Sequence, residues 1–292
     1  MSNIATHLWF DRQAPEAARF YCSVFPDSGI TSESKISGTP SGDVDLVSFK
    51  LWDSEFQAIS GGPLFSFNPS VSFLVACDSA AEVDRYWKLL REGGSELMPI
   101  GPYPFSGRYA WVVDRYGLSW QLMHTDRHAS RQRLTPTLMF TGDQAGRAQE
   151  AARLYASLME GRVGEISRYG PGVEPNLPEM ANHLDFSLFG RGFAAMDSAL
   201  PHGFGFNEAI SIMVSCETQE EIDRYWSGLS AVPEAERCGW LKDRYGLSWQ
   251  IVPKTLGRLM TENDEAGRRR ITEAFLAMKK FDLAALERAA RG

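Results

Sequence analysis

The chain has 292 residues, of which 43% are hydrophobic and 23% charged, with a formal net charge of −7. That length suits two domains, because single cores stop growing near ~250–300 residues. The mild acidic balance argues against a nucleic-acid-binding protein, which would need a basic face. No stretch approaches the ~18 unbroken apolar residues of a membrane span.

The first residues, MSNIATHLWFDRQ, hold no basic segment leading into an apolar core, so no secretory signal is expected. Residues 4–10 alternate as a strand. Residues 14–25 read as a helix with Ala18, Tyr21, Cys22 and Phe25 on one stripe. Strand-like runs follow at 30–37, 44–52 and 55–60, and the loop GGPLFSFNPS (61–70) breaks the pattern. A strand at 72–77 leads to Ser79 and Glu82, a capping box that starts a helix carrying Val83, Tyr86, Trp87 and Leu90 and stopping at Gly93. GPYPFSGR (101–108) reads as a loop. Tyr109–Val113, the hairpin turn DRYG and Leu118–Met123 close the unit.

The same pattern then returns. HLWF (7–10) recurs as TLMF (137–140), EAARFYCSVF (16–25) as EAARLYASLM (150–159), and EVDRYWKLL (82–90) as EIDRYWSGL (221–229). VVDRYGLSWQLM (112–123) recurs as LKDRYGLSWQIV (241–252), so the eight residues DRYGLSWQ occur twice. Thr218 and Glu221 repeat the capping box. Chance does not readily produce such a collinear set, so the chain is an internal duplication. The expected organisation is a first domain at 1–126, a linker at 127–134, a second domain at 135–253 and a helical tail at 254–292. In the tail, Ile271, Phe275, Met278 and Phe281 recur at helical spacing, and a short helix fits 283–290. Each domain reads as α+β: two βαβββ modules with curved antiparallel sheets, helices on one face and the other face free for a ligand.

Alternation assigns side chains to those faces. Leu118, Trp120 and Leu122 face the helices, as do Leu247, Trp249 and Ile251, which places Gln121 and Gln250 on the free face. If Leu8 faces the helices, His7 shares the cavity of Gln121. Trp9, Phe56, Phe65, Phe67, Tyr103, Phe105 and Trp111 lie near the expected cup. Trp9 and Trp111 read either as core or as an aromatic pocket wall, whereas Trp87, Trp120, Trp226 and Trp249 read as core. Arg108 reads either as an anion contact or as a surface arginine. His7 reads either as a hydrogen-bonded strand histidine or as a ligand contact. His183 has no evident partner. His124 and His128, four apart at the domain end, read as a solvated pair. Asp114 and Arg115 read as turn chemistry. Cys22, Cys77, Cys216 and Cys238 form no CxxC pair and read as reduced thiols of a cytoplasmic protein.

The runs HLWFDRQAPEAARFYCSVFPDS, SFLVACDSAAEVDRYW and WVVDRYGLSWQLM, with the tail MKKFDLAALERAA (278–290), resemble the PhnB-like branch of the vicinal-oxygen-chelate superfamily. That superfamily includes glyoxalase I, bleomycin-resistance proteins and extradiol dioxygenases. Members of the branch are often labelled 3-demethylubiquinone-9 3-methyltransferase. The chain shows no strand, glycine-rich turn and helix of the kind that binds S-adenosylmethionine, since GGP (61–63) and GPG (170–172) sit in other contexts. No methyl transfer is therefore expected. The resemblance implies that metal ligands, where present, come from particular strands of each module. In the first copy these positions are His7, Ala58 or Ser60, Ser72 and Gln121. In the second they are Thr137, Ala195 or Asp197, Ser211 and Gln250. Only His7 is a strong ligand type in the first copy, and the second offers at most Asp197, whereas a divalent site wants three or four, so no cofactor is expected.

The ligand-pocket candidates are thus His7, Trp9, Ser60, Ser72, Trp111, Gln121 and Arg108, with Thr137, Ser211, Trp240 and Gln250 as second-copy counterparts. Three readings follow. The first is a small-molecule-binding protein of the bleomycin-resistance type. The second is a metal-assisted isomerase, lyase or dioxygenase acting on a small oxygenated substrate through His7 and Gln121. The third is a structural protein whose cups are filled by side chains. The cup-facing positions differ between copies, with His7 against Thr137 and Trp9 against Met139. The first copy is therefore expected to hold the site and the second to act as its scaffold. Single-copy relatives pair two domains about a twofold axis, so the tandem chain is expected to form that pair internally. A further homodimer through the tail is expected, with neither nucleic acid nor membrane as partner.

Overall fold

The structure is a computed structural model and describes residues 4–39, 42–125 and 132–292. His128 and residues 127–131 of the expected linker lie outside the described residues.

Four strand–helix–strand modules follow one another. The first runs β1 (Ile4–Phe10), α1 (Ala14–Val24), β2 (Gly29–Thr39), β3 (Gly42–Leu51) and β4 (Ser54–Ser60). The second runs β5 (Val71–Cys77), α2 (Ala80–Arg91), β6 (Ser95–Tyr103), β7 (Ser106–Val113) and β8 (Ser119–His124). The third runs β9 (Leu134–Thr141), α3 (Ala148–Leu158), β10 (Arg162–Arg168), β11 (Ala181–Leu188) and β12 (Arg191–Ser198). The fourth is shorter: β13 (Ile210–Cys216), α4 (Gln219–Leu229), β14 (Trp240–Lys242) and β15 (Ser248–Pro253). The tail adds α5 (Lys254–Glu262), α6 (Glu265–Leu276) and α7 (Leu283–Arg291). Residues 101–108, expected as a loop, belong to the tight β6–β7 hairpin instead. No described helix is long and apolar enough to cross a membrane.

The modules do not pair in chain order. One sheet, sheet A, has the order β14-β15-β13-β1-β4-β3-β2, and the other, sheet B, the order β10-β11-β12-β9-β5-β8-β7-β6. Sheet A therefore joins the first module to the fourth, and sheet B the second to the third. The seams are β1 against β13 and β5 against β9, both antiparallel. The sheets are mixed rather than antiparallel as expected. Within each module the first strand lies parallel to the last, as β1 does to β4 and β5 to β8.

Helix starts explain part of this architecture. In α2 the Ser79 hydroxyl accepts from the Glu82 N–H at 3.2 Å, while the Glu82 carboxylate reaches back to the Asp78 N–H at 2.8 Å. Thr218 and Glu221 do the same for α4, with Glu217 as the back-bonded residue. Neither α1 nor α3 has a side-chain cap of its own. Their caps come from the last strand of the module. The Ser60 hydroxyl accepts from the Ala14 N–H at 3.3 Å, and the Asp197 carboxylate accepts from Gly146 and Ala148 at 2.8 and 3.0 Å.

Leu118, Trp120 and Leu122 are fully buried against the helices, as the alternation requires. On β4, Phe56 also faces the helices, stacking on Phe49 and meeting Phe73 of sheet B at 5.4 Å. It is core and does not reach a cup. The two sheets thus pack helix face to helix face, and their opposite faces look outwards. The DRYG turns are more than hairpin chemistry. The buried Asp114 carboxylate accepts from Trp120 Nε1 at 2.8 Å and from the N–H groups of Tyr116 and Leu118 at 2.8 and 3.0 Å. Asp243 repeats this and also accepts from the Tyr155 hydroxyl at 2.7 Å.

The tail finishes sheet A. The fourth module has no strand equivalent to β6. Instead, the Cys238 and Gly239 N–H groups donate to the carbonyls of Met278 and Lys279 at 2.8 and 2.7 Å. Met278 and Phe281, expected on the helical stripe, lie beyond the end of α6 in this segment. Phe281 lies so close over Gly239 that a Cβ there would meet its ring at 2.4 Å.

Candidate functional site

Each outward face carries a row of side chains set by strand register. In sheet A the row runs Lys242, Ser248, Ser211, His7, Gln57, Ser48. In sheet B it runs Val113, Ser119, Ser72, Thr137, Ala194, Asp185. The two rows occupy equivalent places in the fold but differ in chemistry. Sheet A has an imidazole, a lysine and an amide where sheet B has threonine, valine and alanine.

The cup of sheet A centres on His7, which is only 3% exposed. Its ring meets Trp240 edge-on at 5.1 Å, Trp240 meets Trp9 at 6.1 Å, and Trp9 meets Phe65 at 5.2 Å. These aromatics roof the histidine. Trp9 is fixed in turn by the glycine pair after β4. Its Nε1 donates to the Gly62 carbonyl at 2.8 Å, and a Cβ on Gly61 would lie 2.3 Å from the indole. Gln250 donates to the Ser211 hydroxyl at 2.9 Å. Two polar atoms in this cup stay buried and without a hydrogen-bond partner: His7 Nδ1 and Ser248 Oγ. Burial brings the His7 imidazole from 6.5 down to about 3, so it is neutral at physiological pH. Lys242, opposite Ser248, is held by Glu208 at 2.8 Å.

The cup of sheet B is internally satisfied at the equivalent places. Gln121 donates to the Ser72 hydroxyl at 2.8 Å and accepts from the Tyr109 hydroxyl at 2.7 Å. Trp111 Nε1 donates to the Ser119 hydroxyl at 2.7 Å. Burial raises the Tyr109 phenol, which keeps it a donor. Met139 lies on the same face as Thr137, one pair along β9.

Several expected site residues change place. His7 does not share a cavity with Gln121; it lies in sheet A with Ser211, Trp240 and Gln250, while Gln121 lies in sheet B with Ser72, Trp111 and Thr137. The first copy therefore does not hold a complete site with the second as scaffold, because each cup draws on both copies. Ser60 and Asp197 cap helices, and Ala58 and Ala195 are buried on the helix face, so none of the four faces a cup. Arg108 points to the helix side, where it pairs with Asp84 at 2.6 Å. His183 has a partner after all, Asp185 at 3.1 Å. Ser248, Gln57, Lys242 and Tyr109 are cup residues that sequence reasoning did not single out. Ser248 was within reach, since it stands two residues before Gln250 on the same face.

Two cavities of about 320 and 410 Å³ have none of the row residues in their walls. One is bounded by the tail residues Arg258, Asn263 and Glu287, the other by Tyr103, Phe105 and His124 at the end of the β6–β7 hairpin. Among the described residues, no three His, Cys, Asp or Glu side chains are grouped so as to hold a metal ion. Around His7 the cup offers the hydroxyls of Ser211 and Ser248 and the amides of Gln57 and Gln250, and the Glu208 carboxylate is taken by Lys242. One imidazole with uncharged oxygens does not fit the three or four strong ligands of a divalent centre.

The sequence model of the family described as 3-demethylubiquinone-9 3-methyltransferase matches residues 2–123 and again 132–252. Among solved structures, the chain is similar to a PhnB protein from Bacillus cereus that carries the same description. Identity is 36% over 41% of this chain and 98% of that one, with a TM-score of 0.39. Glyoxalase I from Zea mays is 10% identical over 89% of this chain and 97% of that one, with a TM-score of 0.56, a likeness of fold alone. No curated protein is significantly similar to the chain.

Proposed function

We propose, for a chain that belongs to the 3-demethylubiquinone-9 3-methyltransferase family of the vicinal-oxygen-chelate superfamily, that it binds a small oxygenated molecule in the cup of sheet A. The carrying observation is the pair of buried orphan groups, His7 Nδ1 and Ser248 Oγ, on one row with Ser211 between them. Leaving a buried polar group unsatisfied costs about 1–3 kcal/mol. Two such groups on one row, one strand apart, make sense where a ligand supplies their partners. The flanking indoles Trp9 and Trp240 give the apolar wall that small-molecule pockets combine with a few polar anchors.

Binding is favoured over acid–base catalysis by the state of His7. A base acting near pH 7 works best with a pKa close to that value, and an imidazole held at about 3 is far from it. Methyl transfer finds no support in the arrangement. The turn from β1 to α1 holds Asp11, Arg12 and Gln13 and no glycine, while the GGP segment packs on Trp9. A homodimer through the tail helices and a cytoplasmic location belong to the same proposal.

The test is a thermal-shift screen of small diols, hydroxy acids and quinones on the purified full chain. Stabilising compounds should lose their effect in His7→Ala and keep it in Gln121→Ala. Compounds that depend on Gln121 and not on His7 would contradict the proposal. So would stoichiometric zinc, iron or manganese at His7 in untagged protein.

A further inference from the structure

The two cups hold equivalent tryptophans in different places. Trp111 stands opposite Gln121, and Trp240 stands opposite Gln250. Both belong to the same position before the DRYGLSWQ segment. In sheet B the Trp111 indole N–H is hydrogen-bonded to Ser119 at 2.7 Å. Ser248 is the equivalent serine of sheet A, is 1% exposed, and its hydroxyl has no partner. Lys242, directly across from it, is committed to Glu208. Trp240 is instead turned edge-on against His7 at an interplanar angle of 86°. The hydrogen bond that Trp111 makes to its serine in one cup is thus not made by Trp240 in the other, where the indole meets the histidine edge-on instead.

We infer that Trp240 is the gate of the sheet-A cup: its indole moves from His7 onto Ser248, and that movement admits a ligand to His7. This rests on the binding reading above. An aromatic edge contact and a neutral hydrogen bond are of the same order of strength, so the two positions lie close in free energy. Exchange between them needs only side-chain rotation at a partly exposed residue, which is fast on the timescale of binding. In the closed position the ring shields His7. In the open position the indole N–H donates to the Ser248 oxygen, and the Ser248 hydroxyl proton is left to donate to a ligand in the vacated space.

Carbethoxylation of His7 by diethyl pyrocarbonate tests the gate without any ligand, read peptide by peptide by mass spectrometry on the full chain. The reagent attacks neutral imidazole, so His7 reacts only when uncovered. Trp240→Ala should raise its rate tenfold or more. Ser248→Ala removes the hydrogen bond of the open position and should slow the rate about fivefold, the worth of one such bond. Removing an orphan buried hydroxyl leaves no new unsatisfied group, so this variant folds. Ser119→Ala, in the other cup, should leave the His7 rate unchanged. An unchanged or faster His7 rate in Ser248→Ala would overturn the gate. The rates involve no ligand, so the gate and the binding reading fail on different measurements.

Discussion

At the scale of single residues, the side chains that define the cup are those whose partners are missing. His7 was legible in the sequence as a free-face histidine, because strand alternation needs only the identity of its neighbours. Its surroundings were not, because Ser211, Trp240 and Gln250 come from more than two hundred residues further along the chain. Ser60 and Asp197 were misread for a related reason. Both cap a helix that begins 46 or more residues earlier in the chain, and no local pattern encodes that. The buried His7 also sets a pH dependence. Its folded pKa lies below its unfolded value, so the stability tied to the neutral ring is complete above about 6.5 and is lost as pH falls towards about 3. Between pH 7 and pH 5 the wild-type chain should lose about 2 kcal/mol more stability than His7→Gln. Urea unfolding at the two pH values measures this, and equal losses in both proteins would show that His7 is not buried as described.

At the scale of elements, the second occurrence of DRYGLSWQ reflects an internal network as well as a turn. The sequence pointed to a hairpin at Asp114, and the hairpin is there. Its carboxylate also anchors the buried Trp120 and two backbone N–H groups. A residue that only shaped an exposed turn would cost about 1 kcal/mol or less on removal. Removing a buried acceptor of three hydrogen bonds strands its donors, and Asp114→Ala should cost about 3 kcal/mol in a denaturant titration. A loss below about 1 kcal/mol would return Asp114 to simple turn chemistry. The capping boxes of α2 and α4 were legible because each is complete within four residues. The β6 strand was missed because Pro99, Gly101 and Pro102 break its alternation, and the hairpin pairing with β7 carries it through register shifts.

At the scale of the whole molecule, the duplication explains the pairing of modules. A strand–helix module with a free sheet edge needs a partner edge, and each half of this chain offers two. The edges of β1 and β5 are taken by β13 and β9 of the other half. Collinear repeats show in sequence that two copies exist, but not which edges meet, because strand pairing over this separation leaves no local signature. The consequence for function is direct. Neither repeat owns a cup, and divergence between repeats produces two unlike cups in one molecule. One is closed on its own hydrogen bonds, and the other holds a roofed histidine beside an orphan serine. The composite origin of that second cup is tested most directly by nuclear Overhauser contacts in the isotope-labelled full chain. The His7 imidazole protons should show cross-peaks to the Trp240 indole of the second repeat and none to Trp111. Cross-peaks from His7 to Trp111 or Gln121, with none to Trp240, would contradict the shared cup.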